Sequence, residues 1–220
     1  MSDFSADELQ ALVAHVGDIW VPTHPYYRRA EDDMDRAWAT AIQPFIAGCD
    51  FTATVDLAAG HGRNSTKLAD LATRLTIIDI QPGNIEICRA RFAGRPHVTC
   101  HVGSGYDLRP LEDASQTLIY CFDAMVHFDR HVVRAYLRDA QRVLVPGGRA
   151  FLHHSNHTGG EEWLRAPHAR NFMSSDLFAA YARAEGLTVL NQHVISWGKA
   201  AELDCFSLVE KPTRSGKPAG

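Results

Sequence analysis

The 220-residue chain predicts a doubly wound α/β fold, a mainly parallel sheet with helices on both faces and an antiparallel C-terminal strand. Three observations predict it. Short apolar runs alternate with longer amphipathic stretches, the pattern of strand–helix–strand units. Runs such as Thr117-Leu118-Ile119-Tyr120-Cys121-Phe122 are apolar on both sides, as a sheet covered on both faces requires. The last two β-rich segments, 187–195 and 204–210, have no helix between them, so they pair as a hairpin that adds a strand to the sheet or inserts one.

The elements follow in order. Residues 5–20 and 29–47 read as two helices; Asp32, Asp33 and Asp35 mark the start of the second, and Trp38, Ile42, Phe45 and Ile46 supply its apolar stripe. A strand at 53–58 leads through a glycine turn to a helix at 63–73. Strands at 75–80, 97–102 and 116–122 follow, with a helix at 83–93 after the first of these. The helix at 130–144 ends against Pro146-Gly147-Gly148. Strand 149–154 and a helix at 174–185, closed by Gly186, precede the final hairpin. One domain over 1–210 is expected, with 1–50 a helical lid or cap and 51–210 the core; 211–220, rich in Pro and Gly, reads as a disordered tail.

Composition narrows the function. The formal net charge of -4 opposes a broad nucleic-acid-binding face, which needs a surplus of Lys and Arg. No apolar run approaches the ~18 residues that span a bilayer, and the acidic start MSDFSADELQ does not resemble a secretory signal. Cys49, Cys88, Cys100, Cys121 and Cys205 are dispersed with no CxxC pair, which suits reduced thiols in the cytoplasm. The expected partner is a small-molecule substrate, with a homodimer left open.

The chemistry concentrates after the first strand. Gly60 and Gly62 let backbone approach a ligand, and the helix beyond them offers free N–H groups. Asp56 at the strand end organises the loop or receives an ammonium group. Asp79 stands 19 positions after Gly60 at the end of the second strand, where a carboxylate can accept ribose hydroxyls. A nicotinamide site remains an alternative at this point, although Ser65 occupies the place of the third glycine of that motif.

The segment Asp56-Leu57-Ala58-Ala59-Gly60-His61-Gly62-Arg63 resembles the D-x-G-x-G-x-G motif of class I S-adenosylmethionine-dependent methyltransferases, with Ala58 replacing the first glycine. Asp79 matches the family's ribose-binding acid and Ile80 its adenine neighbour. Gly103-Ser104-Gly105-Tyr106-Asp107-Leu108 is similar to the motif after the third strand, with Ser104 where an acidic residue often meets the adenine amino group. Tyr120-Cys121-Phe122-Asp123-Ala124-Met125-Val126-His127 and Leu144-Val145-Pro146-Gly147-Gly148 resemble the fourth motif and the turn before strand five. The resemblance spans roughly residues 53–155. It implies a Rossmann-like fold, S-adenosyl-L-methionine as cofactor, and Asp56, Ala58, Gly60, Gly62, Arg63, Asp79, Ile80, Ser104, Gly105, Tyr106 and Phe122 around it. Gly60-His61-Gly62-Arg63-Asn64-Ser65, Phe122-Asp123-Ala124-Met125-Val126-His127-Phe128, His153-His154-Ser155-Asn156 and Arg170-Asn171-Phe172-Met173-Ser174 also resemble small methyltransferases of polysaccharide or secondary-metabolite pathways, which implies a hydroxyl on a sugar or similar small molecule as acceptor. A non-catalytic binding protein on the same scaffold is the further alternative.

A hydroxyl acceptor needs a base, and parallel-sheet ligands sit beyond the carboxyl ends of the strands. His127, after strand four, is the first candidate and His154 the second, with Asp123 beside them. Of His153 and His154, adjacent on a strand, one faces the site and the other packs away. Trp20 and Tyr27, in the aromatic and proline-rich stretch after the first helix, and Asn156 and Arg170, in the stretch after strand five, are expected to contact substrate. Trp163 and His168 lie in that same later stretch. No metal is expected, since neighbouring strand histidines cannot share one ion.

Overall fold

Seven strands build the sheet: β1 (Ala53–Leu57), β2 (Arg74–Asp79), β3 (Val98–Val102), β4 (Gln116–Cys121), β5 (Leu144–Ser155), β6 (Thr188–Trp197) and β7 (Ala200–Glu210). Their order is β3-β2-β1-β4-β5-β7-β6 in the computed structural model, which describes residues 4–17, 20–32, 34–159 and 169–213. The first five strands pair in parallel. β7 is inserted between β5 and β6, antiparallel to both, with Arg149 opposite Glu210 and Ser155 opposite Asp204. The expected hairpin therefore forms, and its last strand is an interior one. The tail beyond Thr213, Trp163 and His168 lie outside the described residues.

Both faces of the sheet are covered. On one, α1 (Ala6–Gly17), α7 (Arg130–Val143) and α8 (Ser175–Ala184) pack on Val55, Leu57, Ile78, Ile119 and Leu152. On the other, α3 (Met34–Ala37), α4 (Gln43–Ile46), α5 (Arg63–Leu71) and α6 (Pro82–Arg91) pack on Leu75, Ile77, Tyr120, Phe151 and Phe206. β1 is buried throughout, which is why it reads as a nearly continuous apolar run.

The helix expected over 29–47 is broken. It starts earlier, as α2 (Tyr26–Asp32), and a π-turn over Trp38–Ile42 separates α3 from α4. Pro44 lacks an N–H and crowds the carbonyl four residues before it, so the widened turn absorbs what a regular helix cannot. α7 ends at Val143, and Pro146-Gly147-Gly148 form the opening of β5, pinned to the end of β7 by Gly147 N–H donating to the Lys211 carbonyl at 2.7 Å.

Candidate active site

The carboxyl ends of β1, β2 and β4 open on a cavity of about 110 Å³. Its floor is the turn from β1 into α5, in which Ala58, Gly60 and Gly62 all adopt the left-handed conformation, with φ of 56°, 57° and 75°. Ala58 is the exception in kind, because a Cβ makes that region costly by about 1–2 kcal/mol. The turn is tied to β2, with the Gly60 N–H donating to Asp79 Oδ2 at 2.8 Å.

The two glycines do different work. A Cβ on Gly60 would lie 2.6 Å from the Tyr27 ring at the cleft, whereas one on Gly62 would lie 2.9 Å from Phe92, the residue that follows α6. Gly62 thus permits helix packing, and its bare side faces away from the cleft. Asp56 also sits beneath the loop. Its carboxylate accepts from the Ser65 hydroxyl at 2.5 Å, and burial raises its pKa to about 7 against that bond. Ser65, at the place of a third glycine, is what the loop uses to hold Asp56.

Asp79 is nearly saturated by its own chain. Besides Gly60, Oδ1 accepts from Gln81 N at 2.9 Å and from Asn84 Nδ2 at 3.1 Å. Asn84 Nδ2 also donates to the Tyr27 hydroxyl at 2.9 Å, and that hydroxyl donates to the Trp20 carbonyl at 3.1 Å. Tyr27 stacks on His61 with centroids 3.9 Å apart. The N-terminal segment thus reaches over the glycine turn to the acid at the end of β2, and Val13 of α1 covers Gly105 in the same way.

A second polar cluster stands beyond β4. Asp123, a non-glycine residue with φ of 58°, accepts from the Tyr26 hydroxyl and pairs with Arg63 at 2.9 Å. Arg63 also donates to the Tyr26 oxygen and to the Ala30 carbonyl, both at 2.7 Å. His127, in the short 3₁₀ turn Met125–His127, donates Nδ1–H to the Ala169 carbonyl at 2.9 Å. Its Nε2 has no hydrogen-bond partner among the described residues. Burial lowers its pKa to about 4, so the ring is neutral at pH 7. Trp20 leans on its face at 5.2 Å.

Residues 54–148 match the methyltransferase-domain family. That stretch carries a methyltransferase domain, in line with the resemblance of its motifs to the class I S-adenosylmethionine-dependent methyltransferases. A demethylmenaquinone methyltransferase of Clavibacter sepedonicus is 35% identical over 122 residues, covering 54% of this chain and 47% of that protein. One from Tropheryma whipplei (strain Twist) is 32% identical over 128 residues, 56% of this chain and 50% of the relative. The chain spans about half the length of the curated relatives it matches. A chain of the complex between the Haloferax volcanii Trm112 methyltransferase activator and its methyltransferase superposes with a TM-score of 0.70 at 20% identity, covering 92% of this chain and all of that one. Geranyl diphosphate C-methyltransferase from Streptomyces coelicolor A3(2) gives 0.66 at 14%, covering 90% and 87%. At these identities the superpositions establish the fold.

The cofactor of this family, S-adenosylmethionine, suits what the cleft presents. The backbone is bare at Gly60 and Gly105, where Tyr27 and Val13 fill the space, and His61 Nε2 and Asn84 Oδ1 are buried without a partner among the described residues. Of the residues expected at the site, Ala58, Gly60, Arg63, Asp79, Ile80, Gly105, Phe122, Asp123, His127, Trp20 and Tyr27 line the cavity. The rest do not. Ser104 is spent within its own turn, bonded to Asp107, and Tyr106 packs beside it against the core. Asn156 ties Glu202 to Ser175, and Arg170 is paired with Asp204. His154 is fully buried with both nitrogens bonded, to the Ser155 carbonyl and the Ser207 hydroxyl at 2.8 Å, and it stacks on Phe178. Neither histidine of the pair lines the cavity; His153 is the one turned toward Asp123, whose N–H it accepts. Tyr26, which stands beside Tyr27 in the aromatic stretch after the first helix, also lines the cavity.

Proposed function

We propose that the protein methylates a hydroxyl on a small molecule, with His127 as the base. One observation carries this reading. His127 commits Nδ1–H to a backbone carbonyl and is neutral at pH 7, leaving the Nε2 lone pair at the cavity wall. The family's cofactor supplies a methyl group already activated on sulfur. The chain's part is then to align the acceptor, take its proton at Nε2, and exclude water.

Residues 20–32 serve as a lid in this proposal. Trp20, Tyr26 and Phe122 give the acceptor end aromatic walls, which favour a phenol or quinol over a sugar. Asp79 would meet the ribose and Ile80 and Gly105 the adenine. Ribose binding at Asp79 would require Asn84 to yield one of its bonds, which ties cofactor entry to Tyr27. A second reading has the specific support of the relatives, named for methylating demethylmenaquinone: the methyl goes to a ring carbon made nucleophilic when His127 deprotonates the neighbouring hydroxyl. The five cysteines, all free thiols, suit a cytoplasmic setting.

Incubation with S-adenosylmethionine and panels of phenols, quinols and sugars, followed by release of S-adenosylhomocysteine, tests the proposal. Turnover on a hydroxylated ring that His127→Ala abolishes supports it. Full activity of that variant overturns the role of His127, and methylation of amines alone overturns the acceptor class.

A further inference from the structure

Behind the cleft lies a buried network that the proposed chemistry does not use. His153 and Asp204 have no exposed surface. The Asp123 N–H donates to His153 Nδ1 at 3.1 Å, which leaves Nε2–H to donate to Asp204 Oδ2 at 3.3 Å. Arg170 clasps both oxygens of Asp204, at 2.9 and 2.6 Å, and lies over Trp197. Four stretches that are remote in the chain, the turn after β4, β5, β7 and the segment before α8, thus meet in one network around a backbone N–H. That N–H belongs to the only residue of the network with a left-handed backbone, a conformation that side chains resist.

We propose that Asp204, acting through His153, is a positioning residue that holds Asp123 in the turn from which its carboxylate latches the lid through Tyr26. Charge explains the arrangement. Two arginines and two carboxylates meet here, and Arg170 Nη2 is also 3.9 Å from Asp123 Oδ1. With Asp204 in place Arg170 is satisfied, and Asp123 Oδ2 is left to Tyr26 and Arg63. Without that carboxylate, Arg170 turns to Asp123 and competes with Tyr26, while His153 loses the partner that fixes its tautomer. The lid is then released at a distance from the acceptor. The benefit to catalysis rests on the methyltransferase reading; the latch itself does not.

The test uses trypsin on the full chain under native conditions. Arg28 and Arg29 are exposed on α2, and cleavage after them, followed by mass spectrometry, reports lid opening. Tyr26→Phe should speed it at least about tenfold, the value of one charge-assisted hydrogen bond. Asp204→Asn should speed it by roughly three- to tenfold, and the double variant should be no faster than Tyr26→Phe alone. Cleavage after Arg183, exposed on α8, should stay at the wild-type rate, which a general loosening of the fold would not allow. Wild-type cleavage of the lid in Asp204→Asn, or factors that multiply in the double variant, would overturn the proposal. If Asp204→Asn does not fold, His153→Leu, which has no acceptor for the Asp123 N–H and no donor for Asp204, carries the same expectation. Calorimetric titration of wild-type protein with S-adenosylhomocysteine runs alongside. Silence there sinks the cofactor reading and leaves the latch standing, whereas binding together with wild-type lid cleavage in Asp204→Asn keeps the cofactor reading and sinks the latch.

Discussion

Gly60→Ala tests the geometry of the cleft most sharply. The new Cβ would stand in a backbone with φ of 57° and 2.6 Å from the Tyr27 ring. The left-handed conformation costs about 1–2 kcal/mol. Displacing Tyr27 forfeits its bond from Asn84 and its stack on His61, each worth about 0.5–1.5 kcal/mol. Removing a glycine from the unfolded chain returns about 0.4–1 kcal/mol. The variant should therefore lose about 2–3 kcal/mol by urea denaturation, a Tm decrease of roughly 4–12 °C for a chain of this length. In a Tyr27→Ala background the collision is gone, and the same substitution should cost no more than about 1 kcal/mol, set by the backbone alone. An equal cost in both backgrounds would refute the assignment of Tyr27 to the space over Gly60.

Other consequences follow from single residues. Ala58→Gly should be neutral or stabilising by up to about 1 kcal/mol in the same denaturation assay, the reverse of the usual alanine-to-glycine loss, because φ at 58 is already 56°. Asp79→Asn should weaken S-adenosylhomocysteine binding by roughly ten- to a hundredfold in calorimetry, since it removes a charged acceptor; unchanged affinity in a folded variant would end its ribose role. The acid limb of the pH–rate profile, where His127 carries it, should fall near pH 4 and not near 6.5. Stability should respond in the same window. Between pH 6.5 and about 4 the unfolded chain protonates His127 and the folded one does not, so its contribution is present at pH 7 and is lost as pH falls. His154 acts in the same direction, with its pKa lowered by burial to about 3. Asp56 opposes them, its contribution being lost as pH rises through about 7. Replacing His127 by Asn should shrink the stability difference between pH 7 and pH 5 by about 2 kcal/mol.

What the chain disclosed depended on distance along it. The turn from β1 into α5 and Asp79 were legible because a strand, a tight turn and the next parallel strand fix one another within 24 residues, from Asp56 to Asp79. Within that turn the spacing could not tell that Gly62 faces Phe92 while Gly60 faces the cleft; both positions require the same backbone. The choice between His153 and His154 was set by pairing with β7, fifty residues later, whose Asp204 and Ser207 receive one ring each. The contacts of Arg63 with Tyr26 and Asp123 span 37 and 60 residues, and no local pattern announces them. The broken second helix was foreseeable from Pro44, which the apolar stripe outweighed.

The position of β7 sets an order of events during synthesis. β5 can meet its antiparallel neighbour only after Glu210 has been made, some 60 residues after Arg149, and β6 leaves the ribosome before the strand it must pair with. Until then the edge of β5, with Phe151 beside it, stands unprotected and invites association with another nascent chain. A chain ended before Ala200 would keep its glycine turn and His127 yet never close that edge, and it should accumulate as aggregate.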